Sequence, residues 1–183
     1  GYDALADLVP ISLVVSHSYI MVGRRDLPFV SLQAVVAHAK SNPNKLTIAT
    51  SGPGSGQYVG AAVMTTVLGL DILKVPYKGA QPAYQDLLAG RVDLFYDNTT
   101  TAKPYIDGGR VKALAISTTE RINGLANVPT FKETGVFDWE MESWFGLFAP
   151  ARTPPGIIDR LRVEIDKATL IPEVQRALEQ GAG

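Results

Sequence analysis

Between residues 30 and 117 helical and strand patterns alternate four times, and every strand in that run is apolar almost throughout. Ser31 caps a helix whose apolar positions, Leu32, Val35, Val36 and Ala39, fall at spacings of three and four. Asn42-Pro43-Asn44 ends it. Leu46–Thr50, Ile72–Val75, Val92–Tyr96 and Val111–Ile116 read as strands. The connections read as a helix over about Gln57 to Leu68, one with Tyr84, Leu87 and Leu88 on a face and Gly90 as its stop, and one from Asp97-Asn98 to Gly108-Gly109. A strand apolar on both sides needs a layer against each side, and a helix in every connection supplies those layers. The pattern predicts an α/β chain, a parallel-rich sheet with helices on both faces.

Outside that run the texture differs. Val9–Val15 and Tyr19–Val22 are predicted as two strands, with His17 in the turn between them. After Ser117 comes a loop-rich stretch through Asn127-Val128-Pro129, then a short helix over Phe131 to Thr134. Trp139–Phe148 reads as an extended strand. Helices carrying Ile157, Ile158, Leu161 and Ile165, then Val174 and Leu178, close the chain, with Thr153 as the cap and Pro154 in the first turn. The start at Gly1-Tyr2-Asp3 without an initiator Met reads as a processed or excised chain, so a missing leader says nothing of location.

The 183 residues carry 17 Lys and Arg against 18 Asp and Glu, a net charge of -1, and no Cys. Folding of such a chain buries roughly 70% of its surface, enough for one core or one lobe with pieces of a second. A nucleic-acid groove needs a basic surplus that is missing. The absence of Cys excludes disulfide scaffolds, thiolate nucleophiles and Cys-based zinc sites. The uncharged stretch between Leu46 and Leu70 is broken by Ser51-Gly52-Pro53-Gly54-Ser55-Gly56. What remains is about 14 helical residues, too few to insert across a bilayer.

Three strand-to-helix junctions concentrate the chemistry: Ser51–Gly56, Tyr77-Lys78-Gly79-Ala80 and Asp97-Asn98-Thr99. In a parallel sheet they meet at the carboxyl ends of the strands, where open α/β folds bind ligands. Each offers unpaired N–H groups at a helix start, suited to a carboxylate or phosphate. Ser51 and Ser55 add hydroxyls, and Gly52, Gly54, Gly56 and Gly79 allow close backbone approach. A tight turn is the alternative reading of any one of them.

Known chemistries fail by spacing. A phosphate loop needs Lys-Ser or Lys-Thr after its last glycine, where this chain has Gln57-Tyr58, and the dinucleotide fingerprint needs glycine at Gln57. No Gly-x-Ser-x-Gly elbow surrounds Ser55. His38 reads as a solvated surface residue, and the sequence offers no metal cluster, cofactor motif or nucleophile–base pair. Asp93, Asp97, Glu140 and Glu142 read as a polar strand residue, a helix cap and a solvent face, and Lys78 as a solvated cation. Trp144 and Phe145 fit a pocket wall or a core equally.

Val75-Pro76-Tyr77-Lys78-Gly79, Asp86-Leu87-Leu88-Ala89-Gly90-Arg91-Val92-Asp93, Val128-Pro129-Thr130, Ser143-Trp144-Phe145-Gly146-Leu147, Ala149-Pro150 and Thr153-Pro154-Pro155 follow in order. Together with the glycine loop they resemble, over essentially the whole chain, the periplasmic receptors of tripartite tricarboxylate transporters, the Bug-type receptors. The resemblance implies a type II periplasmic-binding-protein clamshell, of which this chain holds mainly the second lobe. Residues 1–16 would be a crossing strand and the end of a first-lobe segment, 17–142 the second lobe, and 143–183 the return strand and first-lobe helices. The first lobe's N-terminal portion and the last strand and helix would be missing, so the chain alone is expected to bind weakly or not at all.

The resemblance further implies a small organic carboxylate as ligand, membrane transporter subunits as partners, and neither catalysis nor cofactor. Carried onto this chain, the ligand-binding residues are Ser51, Gly52, Gly54, Ser55, Gly56, Gln57, Tyr77, Gly79, Ala80, Asp97 and Asn98. Ala80 stands where the family often has Ser, leaving an N–H without a hydroxyl, and the glycine loop is one residue shorter than common versions. A ligand-sensing module for a signalling partner, and an α/β enzyme acting on an anionic metabolite, are the competing readings.

Overall fold

The computed structural model describes residues 1–181. In chain order the elements are α1 (Ala4–Asp7), β1 (Leu8–Arg24), α2 (Leu32–Ser41), β2 (Thr47–Thr50), α3 (Gly56–Val67), β3 (Leu73–Pro76), α4 (Ala80–Leu88), β4 (Leu94–Asn98), α5 (Thr99–Asp107), β5 (Val111–Ile116), β6 (Glu142–Pro150), α6 (Pro155–Thr169) and α7 (Pro172–Gly181). The chain divides into two units, one of Ser18–Glu142 and one of Gly1–His17 with the segment from Ser143 onward.

In the unit Ser18–Glu142 the sheet runs β3-β2-β4-β1-β5. β2 is parallel to both β3 and β4, while β1 lies antiparallel between β4 and β5. Four strands therefore share one direction and a fifth opposes them. Side chains alternate between two cores along every central strand. Tyr19 and Met21 of β1, Ile48 of β2, and Leu94 and Tyr96 of β4 pack on one side with α2, α3 and Phe131. Ile20, Val22, Ala49 and Phe95 point the other way, against Ala83, Tyr84 and Leu87 of α4 and Ala102 of α5. Period-two geometry with a helical layer on each side explains why these strands are apolar without alternation.

Four local expectations are corrected. The two short strands at Val9–Val15 and Tyr19–Val22 are one 17-residue strand, so His17 stands within β1, buried, and not in a turn. Ser16-His17-Ser18 contains no Gly or Pro to reverse the chain. Phe131–Thr134 is a series of turns and not a helix. It opens with reciprocal capping bonds, Thr130 N–H to Glu133 Oε2 at 2.8 Å and Glu133 N–H to Thr130 Oγ1 at 3.1 Å, but left-handed Gly135, at φ 68°, ends it after one turn. Pro154, not Thr153, is the N-cap of α6, because Pro155 confines the residue before it to extended geometry. His38 is half-buried, its ring 4.7 Å from that of Phe29, and its Nδ1 is 3.3 Å from Asn42 Nδ2.

In the other unit β6 pairs with β1, the Ala151 N–H donates to Asp7 O at 2.8 Å, and Arg162 Nε donates to Ile11 O at 3.1 Å. Its core is small, centred on Ile11, Ala149 and Ile158, and Trp144, Phe145, Leu147 and Phe148 are exposed. Among the described residues no helix is long and apolar enough to cross a membrane.

Candidate functional site

β3, β2 and β4 are neighbours and run the same way, so their carboxyl ends lie at one end of the sheet. From those ends start α4, α3 and α5. The three junctions singled out in the sequence are thereby gathered inside one unit.

The loop after β2 turns on Gly52 and Gly54, at φ 93° and 84°, a region that disfavours any side chain. Ser55 closes it: its hydroxyl donates to Gly52 O at 2.7 Å and accepts from Tyr58 N–H at 3.1 Å, capping α3. Ser55→Ala removes both bonds and is expected to cost about 1 kcal/mol, seen as a drop of about 2–4 °C in the thermal midpoint. An unchanged midpoint would show that Ser55 does not organise the loop. Ser51 Oγ and Thr50 Oγ1 are buried with no hydrogen-bond partner among the described residues.

The second junction lies against the first. Tyr77 N–H donates to Thr50 O at 2.8 Å, and the space beside Gly52 where a Cβ would sit is 3.6 Å from Tyr77 O. Gly79, at φ 105°, is the N-cap of α4, without a side-chain cap. Pro82 has no N–H, so Ala80 and Gln81 supply the donors of the first turn. The Tyr77 side chain turns away and donates to Asp86 Oδ2 at 2.8 Å. Burial, then Asp86, pushes its hydroxyl up to about 12. Arg91, then Tyr77, holds Asp86 below the ordinary carboxylate value. Tyr77 thus brings its backbone, not its hydroxyl, to the junction. Lys78 is exposed.

At the third junction Asn98 precedes α5 without capping it, and its Oδ1 is buried and has no hydrogen-bond partner among the described residues. Thr99 Oγ1 donates to Ser18 O at 3.1 Å and lies 3.2 Å from Ser18 Oγ. Asp97 is fully buried. Its Oδ1 accepts from Gln57 Nε2 at 3.1 Å, and Oδ2 has no hydrogen-bond partner among the described residues. Burial pushes this carboxyl up to about 6, opposed by the Gln57 amide, the Asn98 backbone N–H and the nearby Tyr84 hydroxyl, which favour the ionised form. The Tyr84 hydroxyl stands close enough for each group to shift the other's titration, yet outside good hydrogen-bonding geometry. The two groups interact electrostatically as neighbours.

Sequence reasoning placed Thr99 at the junction but missed Ser18 and Tyr84 as parts of this cluster. Tyr84 showed only its place on an apolar helix face, and Ser18 meets Thr99 only through the pairing that sets Tyr19 opposite Asn98. Asp93 is no simple strand residue: it accepts from Arg24 Nε, Thr47 N–H and Thr47 Oγ1, each at 2.9 Å, tying β1 to the start of β2. Among the described residues no group of three or more His, Cys, Asp or Glu could hold a metal ion. The arrangement is an array of helix N-termini and hydroxyls, which attracts anions through partial positive charge.

The family described as the tripartite tricarboxylate transporter family receptor matches residues 1–182. A UPF0065 protein from the tcbD-tcbE intergenic region of Pseudomonas sp. (strain P51) is 36% identical over 180 residues, 98% of this chain and 54% of its own length. Among solved structures, R. palustris Rpa4515 with adipate is similar at a TM-score of 0.89 and 30% identity, over 98% of this chain and 60% of that one. MatC (Rpa3494) from Rhodopseudomonas palustris with bound malate is similar at 0.87 and 30%, over 94% and 59%. The chain spans about half the length of the curated relatives it matches.

Proposed function

The chain belongs to the tripartite tricarboxylate transporter receptor family, and we propose on that premise that it is part of a periplasmic receptor. It captures a small organic carboxylate and presents it to membrane transporter subunits, with no reaction catalysed. The observation that carries this reading is the gathering of three helix starts at one sheet end, two of them without side-chain caps. Such donors grip a carboxylate without a basic residue, so a net charge of -1 is compatible with an anionic ligand. Adipate in one structural neighbour and malate in another support the ligand class.

In this proposal Ser18–Glu142 is one lobe, and it supplies one lobe's share of the site. The Ser51–Gly56 loop, Gly79, Ala80 and the Asn98–Thr99 backbone donate, while Ser51 adds a hydroxyl. The test is a titration of the chain with mono-, di- and tricarboxylates followed by amide NMR, which registers weak binding. Saturable shifts clustered at Gly52, Gly79 and Thr99 are expected, with an affinity weaker than micromolar. Silence at those amides across the panel refutes the assignment.

A further inference from the structure

An ionised carboxylate accepts hydrogen bonds and donates none, so a Gln amide bonded to it must turn its NH2 inward. Gln57 does this toward Asp97, with Nε2 3.1 Å from Oδ1. The planar amide then carries its carbonyl away from Asp97. Gln57 is half-buried, and among the described residues its Oε1 is neither hydrogen-bonded to protein nor sealed from solvent. Gln57 lies in the first turn of α3, directly after the glycine loop. Amid N–H groups suited to an anion, one side chain therefore shows an acceptor, which repels a carboxylate oxygen and welcomes a hydroxyl.

We infer that Asp97 is a positioning residue that fixes the Gln57 amide as an acceptor, so that the site prefers carboxylates bearing a hydroxyl or similar donor over the plain acids. This rests on the carboxylate-receptor reading and adds a ligand subclass to it. The surroundings of Asp97 offer no competing partner strong enough to release Gln57. Tyr84 faces it from α4, with Tyr105 of α5 stacked behind at 4.0 Å, Ile20 of β1 is its cross-strand neighbour, and no salt bridge among the described residues includes it. Protonation of Asp97 lifts the constraint, because its O–H then donates to Oε1 and the amide turns over. With that carboxyl raised to about 6 by burial, the turnover lies within reach of ordinary titration.

Malate and succinate differ by one hydroxyl and serve as the probe pair. At neutral pH the chain is expected to bind malate about fivefold more tightly than succinate, the size of one net hydrogen bond. Asp97→Asn, and separately Gln57→Met, are expected to bring the ratio close to one. Gln57→Met alters a half-exposed side chain and keeps the test open if Asp97→Asn fails to fold. In the ligand-free chain the side-chain NH2 signals of Gln57 are expected to shift with a midpoint of about 6, and to stay still in Asp97→Asn. Equal affinities for the two acids in the unaltered chain overturn the preference, and a Gln57 signal that does not move with pH overturns the positioning. Binding of neither acid overturns the receptor reading and the selectivity built on it.

Discussion

Gly60→Ala is expected to lower the stability of the unit Ser18–Glu142 by about 2 kcal/mol, although alanine is the better helix former. α3 lies on the sheet through two glycines. At Gly60 an added methyl would stand 2.0 Å from Cε1 and 2.5 Å from Cδ1 of Tyr96, and at Gly56 one would stand 1.8 Å from the Tyr19 hydroxyl. Neither ring has room to yield. Tyr96 is 1% exposed, stacks on Tyr19 with centroids 5.1 Å apart, meets Phe131 edge-on at 6.3 Å, and accepts from Trp139 Nε1 at 3.0 Å.

Overpacking of this kind costs about 1–3 kcal/mol, and a contact this close belongs at or above the top of that range. The gain from helix propensity offsets at most about 1 kcal/mol. Urea unfolding, together with a thermal midpoint lowered by about 4–8 °C, is the readout. Gly156→Ala in α6, where an added methyl meets nothing within 4 Å, is the control and should lose nothing. A Gly60→Ala chain as stable as its parent would mean that α3 is not seated on the tyrosine pair.

The second large effect is a dependence on pH that Asp97→Asn removes. Burial raises the Asp97 carboxyl from its ordinary 3.8 to about 6. Between those values the folded chain binds a proton that the unfolded chain has released, so Asp97 makes stability fall as pH rises. Its contribution is complete below pH 3.8 and gone above about 6, a change of about 3 kcal/mol. Asp26, Asp86 and Glu133 act in the opposite sense, since arginine neighbours hold all three below their ordinary values and their stabilisation is lost toward acid. Asp26 and Glu133 are exposed and Asp86 is half-buried. Subtracting the Asp97→Asn curve from that of the parent isolates the buried carboxyl. The parent should lose about 3 kcal/mol relative to the variant on going from acid to neutral pH. Parallel curves would mean that Asp97 titrates as an exposed carboxyl does.

Much of the fold was legible because its signals are local. Ser31 with the Leu32, Val35, Val36 and Ala39 stripe defines α2, and Gly90 and Gly108 stand at helix ends. The junction positions followed from the same patterns. The antiparallel seat of β1 between β4 and β5 did not, because nothing near Tyr19 encodes that it faces Asn98 on one side and that Ile20 meets Ile116 on the other. For the same reason the Gln57–Asp97–Tyr84 cluster was invisible: one residue comes from each of three elements. The Phe131 turn shows the opposite failure, a true capping signal that a glycine two residues later overrules.

The place of β1 also sets an order of events during synthesis. Its segment Tyr19–Val22 is apolar on both sides and central in the sheet, yet both of its neighbouring strands lie far downstream. At about 5–20 residues per second, a ribosome makes β1 several seconds before β4 and longer still before β5. Throughout that interval a sticky, unpaired strand has no native partner to zip against. Slow, non-local closure follows from such topology.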